Sequence, residues 1–159
     1  MDYPKYDLNA NTNSTIFEFI SSGMQGNIDK AIKYTITENP EIVNLGFGDK
    51  INFNEEDGTF DIDDMNITDN GDRNIVLATV ANATYSFTEL YPEKFIFFSG
   101  SCEIRTRLYR MAISNNYKEL VKTFHIFGVL QNPSTGNYYN VPFSSSTDFV
   151  GFLIKRKGL

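Results

Sequence analysis

The chain is 159 residues long, 41% hydrophobic, with a formal net charge of −6 and one cysteine. That length supports a single core-bearing domain over residues 1–159, and lone Cys102 excludes an internal disulfide, a zinc knuckle and a CxxC redox pair. No stretch approaches the roughly 18 apolar residues of a membrane span, the N-terminus lacks a basic leader, and the acidity works against phosphate backbones and anionic lipid, so a cytoplasmic chain with neither a membrane nor a nucleic-acid partner is expected.

In chain order, Ile16, Phe17, Phe19 and Ile20 crowd a first strand over residues 15–20, with Ser21-Ser22-Gly23 ending it. Residues 28–37 alternate as a half-buried strand, with Ile28, Ile32, Tyr34 and Ile36 on the apolar face and only Lys30 breaking it. Asn39-Pro40 is a turn signal because proline bars its predecessor from helical geometry, and residues 42–47 read as the returning strand of a hairpin. Residues 49–72 then hold nine acidic side chains and one lysine, predicting a surface excursion with a short strand near Phe60.

Val76, Val80, Ala83, Phe87 and Leu90 step by four, three, four and three, which is one face of a helix over residues 73–91, with Asp72 as N-cap and Pro92 as stop. Phe95-Ile96-Phe97-Phe98 is apolar on both faces and too short for a helix, as in a central strand covered on two sides. A second helix should follow Gly100, capped by Ser101, with Ile104, Leu108 and Met111 as its buried stripe and a bend at Asn115-Asn116. Strands over residues 123–131, 137–143 and 148–157 close the chain, the first two joined by the turn sequence Asn132-Pro133-Ser134-Thr135-Gly136. This order lacks regular βαβα alternation, so the fold class is α+β: a mostly antiparallel twisted sheet with two main helices packed on it.

Chemistry concentrates at the junction from Ser99 to Arg110. Free N–H groups and the dipole at a helix start favour an anion, Gly100 permits close approach, Ser99 and Ser101 offer hydroxyls, and Arg105 offers a bidentate contact. The P-loop spacing is absent, Glu103 opposes a phosphate, and an ordinary capped helix with solvated arginines is the competing reading. Arg107 and Arg110 share a helix face and can meet an anion or partner, or pair with carboxylates of this chain.

Cys102 at the helix start has one ingredient of a reactive thiol, yet the single histidine, His125, lies in the strand-like run Phe124-His125-Ile126-Phe127, where a structural role is the ordinary one. The run from Asp61 to Asn66 begins like a calcium loop but has Met65 at the fifth position and no glycine at the sixth, which excludes an EF-hand and leaves looser Ca²⁺ or Mg²⁺ coordination open; a solvated acidic loop is the ordinary reading of the stretch and a docking surface for a basic partner the sharper one. Tyr138 and Tyr139 with Lys155-Arg156-Lys157 can stack single-stranded bases, although net charge opposes this and strand aromatics ordinarily pack.

The segments Lys94-Phe-Ile-Phe-Phe-Ser-Gly-Ser, Arg105-Thr-Arg-Leu-Tyr-Arg-Met-Ala-Ile, Phe127-Gly128 and Phe152-Leu-Ile-Lys-Arg-Lys resemble a family of small uncharacterised proteins from Bacteroidota, the DUF6934 type. The resemblance implies a bacterial, cytosolic, free-standing domain and draws attention to Gly100, Ser101, Arg105, Arg107 and Tyr109. It supplies no catalytic residue, metal or cofactor.

The expectation is therefore a non-catalytic binding or regulatory domain that takes a partner protein or a small anionic ligand through Ser99, Gly100, Ser101, Arg105, Arg107 and Tyr109. A small nuclease or transferase, of the toxin type found in bacterial stress or defence modules, is the alternative, with those arginines and Tyr109 stabilising transition-state charge. Binding of single-stranded nucleic acid is a further one.

Overall fold

The computed structural model describes residues 4–63 and 69–158. Its elements are β1 (Asn9–Ala10), β2 (Ile16–Gly23), β3 (Gly26–Ile36), β4 (Ile42–Ile51), β5 (Asp61–Asp63), α1 (Arg73–Leu90), β6 (Phe95–Phe98), α2 (Glu103–Asn115), α3 (Tyr117–Leu120), β7 (Phe124–Gln131), β8 (Tyr138–Pro142) and β9 (Gly151–Arg156). The strands hydrogen-bond in the order β1-β2-β3-β4-β6-β9-β7-β8, with β5 on β4. The β4–β6 pair is parallel, while β1–β2, β2–β3, β4–β5, β6–β9, β7–β8 and β7–β9 are antiparallel, so the fold is α+β with a mostly antiparallel sheet.

The described residues divide into two compact units, 4–35 with 45–63 and 69–90, and 36–44 with 91–158. In the first, Phe17, Phe19, Ala31, Ile32, Tyr34 and Leu45 meet Val76, Val80, Ala83 and Phe87 of α1 in the core. Tyr34 stacks on Phe87 with ring centroids 4.2 Å apart and shares a 2.8 Å hydrogen bond with Thr84. Burial pushes its phenol well above the ordinary tyrosine range, and the Thr84 bond offsets only part of that rise. Thr79, Thr84 and Thr88 are buried along the same helix, and each hydroxyl donates to the carbonyl four residues back at 2.7, 2.9 and 2.8 Å, which removes the penalty of an unpaired polar group.

Four details of this unit depart from the periodicity reading. Ser21, Ser22 and Gly23 extend β2 instead of ending it. Ser21 is fully buried because its hydroxyl donates to the Asp72 carboxylate at 2.5 Å. Tyr6 donates to the same carboxylate at 2.6 Å, and Asn70 completes the network by donating to Ser21 at 3.1 Å, so the Asp72 side chain is committed to β2 while its backbone carbonyl starts the helix. Lys30 is 2% exposed and forms a 2.6 Å ion pair with Asp49, so the residue that interrupts the apolar face is itself interior. Leu90, at the helix end, is 60% exposed because the last turn passes beyond the core.

The acidic stretch turns back through a hydrogen-bonded loop. The Asn54 N–H donates to the Thr59 carbonyl at 2.8 Å, the Gly58 N–H donates to Asn54 at 2.9 Å, and β5 then pairs with β4 next to Phe60. Lys33 and Lys50 lie over the Phe60 ring at 4.4 and 4.5 Å, which holds the loop to the strands. Asp64, Met65 and Asn66 of the calcium-like run lie outside the described residues.

In the second unit the register builds two distinct sheet faces. Ile96, Ile154 and Ile126 align across β6, β9 and β7, and Phe98, Phe152 and Gly128 form the next row on that face. Phe149 lies over Gly128, where an added Cβ would come within 2.2 Å of its ring, and Phe143 and Phe149 pack with Phe152. Helix α2 meets this face through Tyr109, whose ring is 6.2 Å from Phe98. On the other face Phe97, Leu153 and Phe127 form one row, and Gly151, Val129 and Asn140 the next.

The orientation of α2 corrects the sequence reading. The helix begins at Glu103 with Cys102, not Ser101, in the N-cap position, and no side chain caps it. Its buried residues are Thr106 and Ile113, whereas Ile104 is 73% and Met111 50% exposed. What turns the helix is its fixed attachment: the Thr106 hydroxyl accepts the Gly100 N–H at 3.0 Å, and Arg110 donates to the Thr147 carbonyl at 2.7 Å and to Asp148 at 2.5 Å. Those contacts and Tyr109 point the polar side inward, leaving the apolar stripe outside.

Candidate functional site

The six residues singled out in the sequence divide between two environments. At the junction, Gly100 spends its N–H on Thr106, and a Cβ at Gly100 would come within 2.4 Å of the Thr106 nitrogen, so glycine is required there for packing. Arg105 donates to the Ser101 hydroxyl, Tyr109 packs on Phe98, and Arg107 is exposed. Arg110 is engaged with Asp148, as expected for an arginine in an acidic chain. Within this set Arg105 and Ser101 bond to each other, while Gly100 and Tyr109 are engaged with Thr106 and Phe98.

Ser99 faces a different feature. It lines an open cleft of about 520 Å³ together with Ile42, Phe97, Val129, Tyr138, Tyr139, Asn140, Val150 and Leu153. The volume is in the range of small-molecule and side-chain pockets. Its floor is the Phe97, Leu153 and Val129 face of the sheet, and its rim carries the exposed Ser99, Tyr138, Tyr139 and Asn140. Phe97 leans over Gly151, where a Cβ would sit 2.7 Å from the ring, and this glycine therefore shapes the floor.

The cleft lies beside β8, which ends the strand order. In the antiparallel β7–β8 ladder, Asn132 donates to the Asn137 carbonyl at 2.8 Å and Phe143 to the Ile126 carbonyl at 3.2 Å. Bonding alternates along such a ladder, so Tyr139 and Val141 direct their backbone groups to β7, while Tyr138 and Asn140 direct theirs outward. Among the described residues no strand pairs with that outer edge. Pro142 has no N–H to offer and marks the end of the usable edge.

Cys102 is exposed, and His125 is exposed on β7 opposite Lys155. Among the described residues no three His, Cys, Asp or Glu side chains come together as a metal site, and no helix is long and apolar enough to cross a membrane. Lys155 sits over Phe95 at 4.8 Å and Arg156 over Phe124 at 5.8 Å, and as strand neighbours they point to opposite faces instead of forming one basic surface.

A family model described as a family of unknown function, DUF6934, matches residues 2–157. The chain belongs to that family. No curated protein and no solved structure matches this DUF6934 chain. Ser99, Tyr138 and Tyr139 of its cleft stand out in the sequence as residue types, but Ile42, Phe97, Val129, Asn140, Val150 and Leu153, which five strands and a loop bring together, do not. The available signal was the pair of tyrosines in a strand otherwise poor in large apolar residues, since such side chains on an edge strand have little core to enter.

Proposed function

We propose that this DUF6934 protein is a non-catalytic recognition domain that binds an extended segment of a partner polypeptide along β8. The observation that carries the reading is the juxtaposition of outward backbone groups at Tyr138 and Asn140 with the apolar-floored cleft beside them. A strand added to an edge gains main-chain hydrogen bonds, and pockets for alternate side chains supply its selectivity. Ser99 and Asn140 would then select polar positions, while Phe97, Val129 and Leu153 would receive an apolar side chain. The anionic-ligand form of the expectation is the less favoured one, because Gly100 and Arg105 already have partners within the chain.

The test is selection of binders from a random-peptide library, followed by measurement of affinity and of backbone amide shifts. Selected peptides should perturb the amides of Tyr138 and Asn140 first, and Asn140→Pro should weaken them more than about tenfold by removing an outward donor and obstructing the edge. Peptides that leave those amides unchanged, or bind Asn140→Pro equally well, would refute strand addition.

A further inference from the structure

The outward stripe of α2 carries a second surface. Ile104 and Met111 are 73% and 50% exposed, Leu108 is half-buried between them, and Arg107 is exposed on the same side with no partner among the described residues. Helical spacing puts these four residues on one face, opposite buried Thr106 and Ile113. In a protein of net charge −6 this face is apolar and cationic.

Its complement is present in the same sequence. Ile51 at the end of β4 and Phe53 in the loop to β5 are 38% and 62% exposed, and after Asn54 come exposed Glu55, Glu56 and Asp57. The loop is not slack: besides its backbone bonds, the Glu56 N–H donates to the Asn54 side chain at 2.9 Å and the Thr59 N–H to Asp57 at 3.0 Å. The two hydrogen bonds from Thr59 hold the Asp57 carboxyl below the ordinary carboxylate range, so it remains charged. The Glu55 and Glu56 carboxylates have no partner among the described residues.

We infer that the chain self-associates head to tail, the Phe53 and Glu55-Glu56 loop of one copy docking on the Ile104, Arg107, Leu108 and Met111 face of α2 of the next. Charge complementarity argues for a second copy as the occupant: apolar groups of both surfaces meet, and guanidinium opposes carboxylate around them. Because the two surfaces differ, each copy uses one of each, and the contact is heterologous. Neither surface includes a residue of β8, so the inference stands independently of the peptide-binding reading.

The experiment is sedimentation of the whole chain over a wide concentration range at low and high salt. Concentration-dependent association that weakens with salt is expected, with Arg107→Glu alone and the pair Glu55→Lys and Glu56→Lys alone each weakening it by about tenfold or more. Mixing the two charge-reversed proteins should restore association, since the reversed loop of one then suits the reversed helix of the other. Ile104→Ser with Met111→Ser should weaken association at every salt concentration, and Asn140→Pro should leave it unchanged. A chain monomeric throughout, association indifferent to both reversals, failure of the mixture to recover, or loss on Asn140→Pro would each overturn the inference.

Discussion

Replacing either member of the Lys30–Asp49 pair should destabilise the protein unequally, and replacing both with apolar residues should recover most of the loss. The ammonium and carboxylate are 2.6 Å apart, with side chains 2% and 16% exposed. Asp49→Leu leaves an almost fully enclosed cation without its counter-charge, at about 3–5 kcal/mol. Lys30→Met keeps the packed stem and leaves a carboxylate with some access to water, so about 1–3 kcal/mol is expected. Since an ion pair in the interior contributes little beyond an apolar pair of similar volume, Lys30→Met with Asp49→Leu should lie within about 1 kcal/mol of the parent. The single costs then fail to add by about 3 kcal/mol or more, a coupling that a double-mutant cycle in urea measures directly at constant m. Small, additive single effects would mean that the pair is solvated and would refute the account of why a lysine occupies an apolar strand face.

Gly128→Ala should cost about 1–3 kcal/mol in the same urea assay, because the new methyl would lie 2.2 Å from the Phe149 ring and the aromatic cluster must shift. Burial raises the Tyr34 phenol, so the folded state keeps that proton when the unfolded chain releases it. Its contribution is therefore fully present below a phenol pKa of about 10 and declines above it by up to about 1.4 kcal/mol per pH unit, a slope that Tyr34→Phe should flatten in alkaline melts. Asn140→Pro should leave stability within about 1 kcal/mol, since its N–H faces outward, whereas Tyr139→Pro should cost about 3 kcal/mol by breaking the ladder to β7; equal costs would contradict the assigned edge.

Where one face of an element decides its fate, the sequence was legible. Val76, Val80, Ala83 and Phe87 have the spacing of α1 and are buried in it, and the two-sided apolarity of Phe95 to Phe98 fits β6, which lies between β4 and β9. The closing strands also follow their pattern, with Gly136 at φ 75° in the turn where the Asn132 to Gly136 sequence calls for glycine. Periodicity failed where a polar group had a distant partner. Ser21 remains in β2 because Asp72, 51 residues away, accepts its hydroxyl, and Lys30 is interior because Asp49 is across from it. Neither pairing leaves a local trace.

The same distinction explains the candidate surfaces. Ser99, Tyr138 and Tyr139 were visible as residue types, but the cleft exists only because β6, β7, β8 and β9 adopt a strand order unrelated to their sequence order. Free backbone groups at Tyr138 and Asn140 are likewise a property of lying last in that order. Helix α2 is the more instructive case. Its periodicity located an apolar stripe correctly at Ile104, Leu108 and Met111, and the inference that this stripe is buried failed because Thr106, Tyr109 and Arg110 anchor the opposite side. A helix that spends hydrogen bonds to hold its apolar face in water is locally inconsistent with its own sequence, and such inconsistencies concentrate at surfaces that have something else to meet.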